Sequence, residues 1–247
     1  MLKITSTEHL TGIRISGDWE DLNELYDAIY NLLNYDGVYD YFEDARDLVL
    51  SLCYDLRHAY QGDRETFASA DDAPYYAVCV LWPEVIFYTL LLNNIFVLAK
   101  RADTAVPQDL DEIKEKITRN KLERRDTDLA CLRFFLDLVW AELKKAVGEK
   151  RFKKLFKEWE ILFFMGTSYH NYIDYCTPYV PYLTAKYIRR KTENRRTYLA
   201  TIAERLISMN GEYQCIRKEV EDYAKENNIP VSEVEFAGSD YTEEIVW

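Results

Sequence analysis

The sequence predicts an α+β fold, in which a small antiparallel sheet packs on a mostly helical body and the C-terminal half is rich in helix. Three observations predict this fold. β-rich segments open the chain, two more flank a turn-like "DDAP", and apolar residues recur at helical spacing through most of residues 128–227. The 247 residues, of which 48% are hydrophobic, are enough for a sizeable core.

The N-terminal segment predicts two strands followed by two helices. "LKIT" and "TGIRIS" have the composition of short strands, and Asp18 then offers an N-cap to a helix whose apolar face includes Tyr26. A second helix is expected from about Tyr39 to Gln61, because apolar residues repeat there every three or four positions. Gly62 is expected to end this helix, since glycine readily adopts the left-handed conformation found at helix C-termini.

A β-hairpin and a third helix are expected next. "RETFASA" and "YYAVCVLW" are rich in residues that favour strands, and "DDAP" between them favours a turn. Pro83 suits the first turn of a helix, because its missing N–H would have no partner there in any case. This third helix is expected to run to about Lys100.

The second half predicts helices almost throughout. A strong pattern runs from residue 128 to Val147 and ends at Gly148, another runs through "RFKKLFKEWEILFF", and two or three more reach Asn227. "PVSEVEFAG" and "EIVW" alternate in hydrophobicity, so both are expected to be edge strands of the sheet. The polar stretch 101–127 is the expected seam between regions 1–100 and 101–247, unless the chain forms one continuous domain.

Composition favours a cytoplasmic protein without a cofactor. The first 18 residues lack the features of a secretory signal, and the longest apolar stretch is well short of a membrane span. Five cysteines stand far apart with no C-x-x-C pair, which favours reduced thiols over metal-thiolate sites. Common nucleotide-binding, zinc-protease and hydrolase motifs are absent from the sequence, and we predict no metal site.

The densest group of chemically versatile residues lies in "CYDLRHAYQGDRE", residues 53–65. If the second helix continues to Gln61, an arginine, an imidazole and an amide share one stripe of it. We predict His58 as a catalytic acid/base and Asp55 as the carboxylate that fixes its tautomer. The predicted ligand-binding residues are Tyr54, Arg57, Gln61, Asp63 and Arg64, of which the two arginines would hold an anion.

The same residues also support an architectural interpretation. Asp55, Arg57, Asp63 and Arg64 would then form an ion-pair network that ties the helix C-terminus to the following strand. Arginine and histidine are favoured at that end because the helix dipole is negative there. The sequence leaves both interpretations open.

Charge is segregated along the chain, whose formal net charge is −12. The first 72 residues hold 16 acids and 5 bases, residues 144–205 hold 14 bases and 6 acids, and residues 206–247 are acidic again. Such regions attract each other within one fold or one homodimer, or the basic region contacts phosphates. Nucleic-acid binding ranks last because the whole chain is acidic. Its candidate residues are Lys186, Arg189, Arg190, Lys191, Arg195 and Arg196.

Tyrosines at steps of three or four precede these bases, between Tyr169 and Tyr182. Such a stripe is more often a helix face buried in the core than a platform that stacks nucleobases. Pro178 and Pro181 are expected to interrupt the helix here.

Three blocks, "TGIRISGDWEDLNELYDAIY", "CYDLRHAYQGDRE" and "VLWPEVIF", resemble an uncharacterised bacterial family known only as a domain of unknown function. The resemblance covers about residues 1–100. It implies a bacterial cytoplasmic protein and carries no activity, cofactor or catalytic residue that transfers to this chain.

The favoured function is a cytoplasmic interaction or self-association module with an acidic N-terminal surface, whose partner is another protein or a second copy. This hypothesis depends on charge segregation without a recognisable catalytic motif. The alternative is an enzyme or sensor that binds a phosphorylated or nucleotide-like ligand at the 53–65 cluster.

Overall fold

The computed structural model describes residues 1–34, 43–68, 73–104, 111, 114, 125–164, 169–208, 210–236, 238–239 and 245–247. Four strands form one small antiparallel sheet in the order β1-β2-β4-β3. The strands are β1 (Lys3–Ser6), β2 (Gly12–Gly17), β3 (Glu65–Ala68) and β4 (Pro74–Leu81). β3 and β4 pair in a register that sets Glu65 opposite Ala77, so the predicted hairpin is confirmed.

The described residues contain eight α-helices, and the fold is α+β with a helix-rich second half, as predicted. The helices are α1 (Trp19–Leu33), α2 (Glu43–Tyr60), α3 (Trp82–Thr104), α4 (Arg125–Val147), α5 (Glu149–Phe164), α6 (Tyr169–Ile188), α7 (Thr192–Ser208) and α8 (Gly211–Asn227). Asp18 caps α1 as predicted, because its carboxylate accepts a hydrogen bond from the Asp21 amide while the Asp21 side chain accepts one from the Asp18 amide.

Two structural predictions are wrong. Residues Val231–Glu233 form a short 3₁₀ helix and residues 245–247 form no strand, so the described part of the C-terminal segment adds nothing to the sheet. Pro178 and Pro181 lie inside α6, which continues through both of them. Tertiary packing offsets the lost backbone hydrogen bonds, since Tyr179 and Leu183 on this helix are fully buried.

The chain divides into two compact units, and the first consists of residues 1–2, 16–78 and 90–138. Within it α1 packs against α2, with Leu25 and Ile29 of α1 and Leu56 of α2 fully buried. α1 is also tied to α4, because the Asn31 amide donates to the buried Asp128 carboxylate over 3.0 Å.

The second unit consists of residues 3–15, 79–89 and 139–247. In it α7 packs against α5, α6 and α8, and α6 contacts the 3₁₀ helix. Glu142 on α4 is buried and accepts hydrogen bonds from the Ser6 amide, the Ser6 hydroxyl and Lys145, each within 2.9 Å. The two bonds from Ser6 fix β1 to α4.

Arg195 on α7 is the most extensively bonded buried side chain of this unit described here, and only 7% of it is exposed. Its guanidinium donates to the carbonyl oxygens of His9, Ile188 and Arg190 and to the Thr11 hydroxyl, over 2.5–3.2 Å. No carboxylate of the described residues forms a salt bridge with it. Arg195 therefore joins the turn after β1 to the end of α6.

Candidate functional site

The residues of the 53–65 cluster lie at the C-terminus of α2, where the chain reverses. Gly62 has φ +87°, and the amides of Gly62 and Asp63 donate to the carbonyl oxygens of Ala59 and His58. This pair of bonds is the Schellman arrangement that ends many helices, and it places the predicted C-terminal glycine as expected. It also turns Asp63 and Arg64 back alongside the last turn of α2.

One hydrogen bond and one ion pair result, and their partners differ from the prediction. His58 Nδ1 lies 2.9 Å from an Asp63 oxygen, and Arg64 lies 2.7 Å from an Asp55 oxygen. Asp55 is therefore not the carboxylate that orients His58. The reason is the reversal at Gly62, which brings Arg64 to Asp55 and leaves Asp63 beside the imidazole.

Arg57 does not join the ion-pair network that the architectural interpretation expected. Its guanidinium lies 5.4 Å from the centre of the Tyr54 ring, and it forms no salt bridge with a carboxylate of the described residues. The Tyr54 ring in turn lies 4.2 Å from the His58 ring. Arg57 is therefore a cation held against an aromatic ring instead of against an acid.

The cluster lies at the surface. The side chains of Asp55 and Arg64 are 37% and 41% exposed, that of Asp63 is 58% exposed, and Gln61 is exposed as well. Hydrogen bonding to Asp55 raises the pKa of the Arg64 guanidinium. Because water screens contacts as exposed as these, the Arg64–Asp55 ion pair and the His58–Asp63 hydrogen bond add little stability.

A continuous row of aromatic rings lies on the α1–α2 pair beside this cluster. Trp19 and Tyr26 of α1 both meet Tyr60 of α2 edge to face, with ring centres 5.9 and 6.2 Å apart. Tyr30 stacks on Tyr26 at 5.7 Å. Trp19 is 53% exposed and Tyr30 44% exposed, whereas Tyr26 and Tyr60 between them are half-buried, so the row meets solvent mainly at its two ends.

Arg57 lies next to this row and connects it to Tyr54, which is 51% exposed. Burial raises the pKa of the Tyr26 and Tyr60 hydroxyls, and the charge of the nearby Arg57 opposes that rise. We call the set Trp19, Tyr26, Tyr30, Tyr54, Arg57 and Tyr60 the aromatic surface.

Helical spacing explains why these residues share one side of the pair. Trp19, Tyr26 and Tyr30 follow each other at steps of seven and four along α1, which places them on one face. Sequence reasoning treated Tyr26 as a core residue and did not use Trp19. A signal was present, since a tryptophan directly after the Asp18 cap lies outside the run of leucines that forms the core face.

The rim of the aromatic surface is acidic. α1 and its cap hold five acids and no lysine or arginine over residues 18–33. Glu20, next to Trp19 in the chain, is exposed, and Asp27, whose charge acts on the Tyr26 hydroxyl and which accepts a hydrogen bond from Asn23 over 3.2 Å, is half-buried. The row of rings therefore has acidic residues along one side, which we call the acidic rim.

Most of the basic residues proposed to bind nucleic acid make contacts with other parts of the protein. Arg195 is buried, and Lys186 lies 4.2 Å over the Tyr182 ring and 3.8 Å from Glu212. Arg190 lies over the Tyr198 ring, and Arg189 donates to the carbonyl oxygen of Gly238. Lys191 and Arg196 are exposed. Arg195 therefore cannot contact phosphates, because its donors are directed into the protein.

Of the predicted tyrosine stripe on α6, Tyr179 takes the favoured structural role, whereas Tyr175 and Tyr182 are half-buried. Tyr179 and Tyr187 are fully buried, and the Tyr187 hydroxyl donates to the carbonyl oxygen of Leu10. The side chains of Tyr169 and Tyr172 lie outside the described residues.

All five cysteines are free thiols, and burial raises the pKa of Cys53 to about 12 and that of Cys131 to about 11. Among the described residues no three histidines, cysteines or acids are grouped to hold a metal. No helix in the described part of the chain has the length and apolar character that a membrane span needs.

Comparison with known families gave one finding. A family model described as "Domain of unknown function (DUF6904)" matches residues 2–247. No curated protein and no solved structure matched the chain. The match includes the second half, for which the sequence blocks carried no resemblance, and covers nearly the whole chain. This protein therefore belongs to the DUF6904 family.

Proposed function

We propose that this protein is a cytoplasmic interaction module and that its aromatic surface binds a lysine- or arginine-bearing segment of a protein partner. The observation that carries the proposal is the row of contacting rings on α1 and α2, in which Trp19 and Tyr30 are exposed. Monomeric proteins rarely expose contiguous patches of large apolar side chains, and such patches commonly mark interaction sites.

The composition of the surface supports a protein partner. Tryptophan, tyrosine and arginine are the residues that most often dominate the binding energy of protein interfaces. Here they lie together with rings fixed by mutual packing, so little side-chain entropy is lost when a partner binds.

The acidic rim indicates the charge of the partner. The exposed carboxylate of Glu20 and the half-buried one of Asp27 attract a basic segment and speed its encounter with the surface. The faces of Trp19 and Tyr30 can then hold lysine or arginine side chains by cation–π attraction. Both effects favour the same class of partner.

Binding of a fluorescent peptide that alternates lysine with leucine tests this proposal, with fluorescence anisotropy as the measurement. Trp19→Ser is expected to weaken the affinity about tenfold, which corresponds to roughly 1.4 kcal/mol. The matched control is Phe134→Ser, because Phe134 is an aromatic residue of comparable exposure, 44% against 53% for Trp19, but lies on α4. Equal affinities of wild type and Trp19→Ser would mean that charge alone attracts the peptide, and would overturn the proposal.

One observation favours the alternative, an enzyme or sensor for a phosphorylated or nucleotide-like ligand. Arg57 forms no salt bridge with a carboxylate of the described residues and lies beside the His58–Asp63 pair. Thermal unfolding with nucleotides and sugar phosphates, compared between wild type and His58→Ala, tests it. A ligand at about 100 times its dissociation constant adds roughly 2.7 kcal/mol. Absence of any shift in the wild type would exclude the ligands tried.

A further inference from the structure

A groove of about 270 Å³ lies between α5 and α7. Its walls are formed by Arg151, Lys154 and Leu155 of α5 and by Thr197, Thr201 and Glu204 of α7. The volume is below the roughly 300–1,000 Å³ of typical small-molecule sites. The groove is therefore better matched to a side chain of a partner than to a whole ligand.

The groove combines a buried apolar residue with exposed cations. Leu155 is buried, while Arg151 is exposed and forms no salt bridge with the described carboxylates. Lys154 crosses the groove to Glu204, with 3.1 Å between Nζ and Oε1. The Thr201 hydroxyl donates to the Thr197 carbonyl, so its oxygen still accepts hydrogen bonds from a partner.

The outer face of α5 carries the charge opposite to that of α1. Residues 149–157 hold five bases and one acid, whereas residues 18–33 hold five acids and no base. Lys150, Arg151, Lys153 and Lys157 are all exposed. One chain thus presents an acidic aromatic surface on one unit and a basic groove on the other.

We infer that the partner of the aromatic surface is a second copy of this chain, which presents the α5–α7 groove. The inference rests on the proposed function and deepens it. Exposed Trp19 supplies a ring for the groove, and Arg151 of the second copy supplies the cation that pairs with the acidic rim. Charge complementarity of these two surfaces argues for this occupant.

The two surfaces differ, so the contact is heterologous. A docked pair still presents one unused aromatic surface on one copy and one unused groove on the other, so association continues to a ring or an open chain. Assembly is expected to grow with protein concentration. It is also expected to fall as salt is added, because the exposed charges become screened.

Sedimentation velocity of purified full-length protein tests the inference through complementation. Wild type is expected to sediment as a concentration-dependent series, and Trp19→Ser and Arg151→Glu are each expected to remain monomeric. A mixture of the two variants retains one intact aromatic surface and one intact groove. It is therefore expected to form a dimer that does not grow further.

Controls keep each outcome decisive. Lys218→Glu makes the same charge change at an exposed site on α8 and is expected to assemble like wild type. Tyr30→Ser replaces Trp19→Ser if the latter lowers the melting temperature. A monomeric wild type at all concentrations, or a mixture that stays monomeric, overturns the inference. Binding of the lysine–leucine peptide by a monomeric wild type would leave the proposed function standing alone.

Discussion

Replacing Arg195 with methionine removes a cation that makes four hydrogen bonds inside the second unit. Methionine fills a similar volume, but the carbonyl oxygens of His9, Ile188 and Arg190 and the Thr11 hydroxyl lose their donor. Hydrogen bonds from charged groups are each worth about 1.5–3 kcal/mol. They are not additive, and the mutant no longer buries a guanidinium, so we expect a net loss of about 3 to 5 kcal/mol.

Thermal unfolding followed by circular dichroism measures this loss. For a chain of 150–250 residues each kcal/mol lowers the melting temperature by about 2–4 °C, so a decrease of roughly 6 to 20 °C is expected. Arg196→Met is the matched control, because its neighbour Arg196 is exposed on the same helix. If both variants melt within about 2 °C of wild type, the buried network does not stabilise the fold and the reasoning fails.

Two further changes probe the helix ends and one buried carboxylate. Gly62→Ala forces a side chain into φ +87° and should lower the free energy of unfolding by about 1 to 2 kcal/mol. Its control, Gly211→Ala, lies at an ordinary φ in the first turn of α8 and should not destabilise the protein. Equal urea midpoints for the two variants would contradict this prediction. Glu142→Gln weakens the charge-assisted bonds from Ser6 and Lys145 and should cost about 1 to 2 kcal/mol at pH 7. Burial alone would raise the pKa of Glu142, but these bonds outweigh it and lower the pKa below 4.5. The stability that the Glu142 carboxylate adds is thus complete above pH 4.5 and is lost as pH falls through the folded pKa. The difference in unfolding free energy between wild type and Glu142→Gln should therefore shrink in acid. A difference that does not change with pH would refute this prediction.

Local signals explain why much of the fold followed from the sequence. Asp18, Gly62 and Gly148 end or begin helices through bonds to their own neighbours, which depend on a few adjacent residues. The prediction that Pro178 and Pro181 interrupt the helix failed for the opposite reason. Their cost is local, but the burial that offsets it comes from residues far away in sequence, which no local pattern reveals.

In the candidate site, too, some features follow from the local sequence and others depend on the tertiary structure. The density of charged residues at 53–65 was visible in sequence, but the pairing of His58 with Asp63 and of Arg64 with Asp55 depends on the direction of the chain after Gly62. The aromatic surface needs the approach of α1 to α2, which brings Tyr26 to Tyr60. Hydrophobic periodicity cannot separate a tyrosine at the edge of a core from one in its centre.

The bonds of Arg195 have a consequence for the timing of folding during synthesis. Its partners His9 and Thr11 precede it by 186 and 184 residues. At a synthesis rate of about 5–20 residues per second, the turn after β1 waits roughly 10 to 40 s before its guanidinium donor is made. During that interval the carbonyl oxygen of His9 and the hydroxyl of Thr11 must remain hydrated. The N-terminal strands of the second unit, although synthesised first, therefore complete their native bonding among the last parts of the protein.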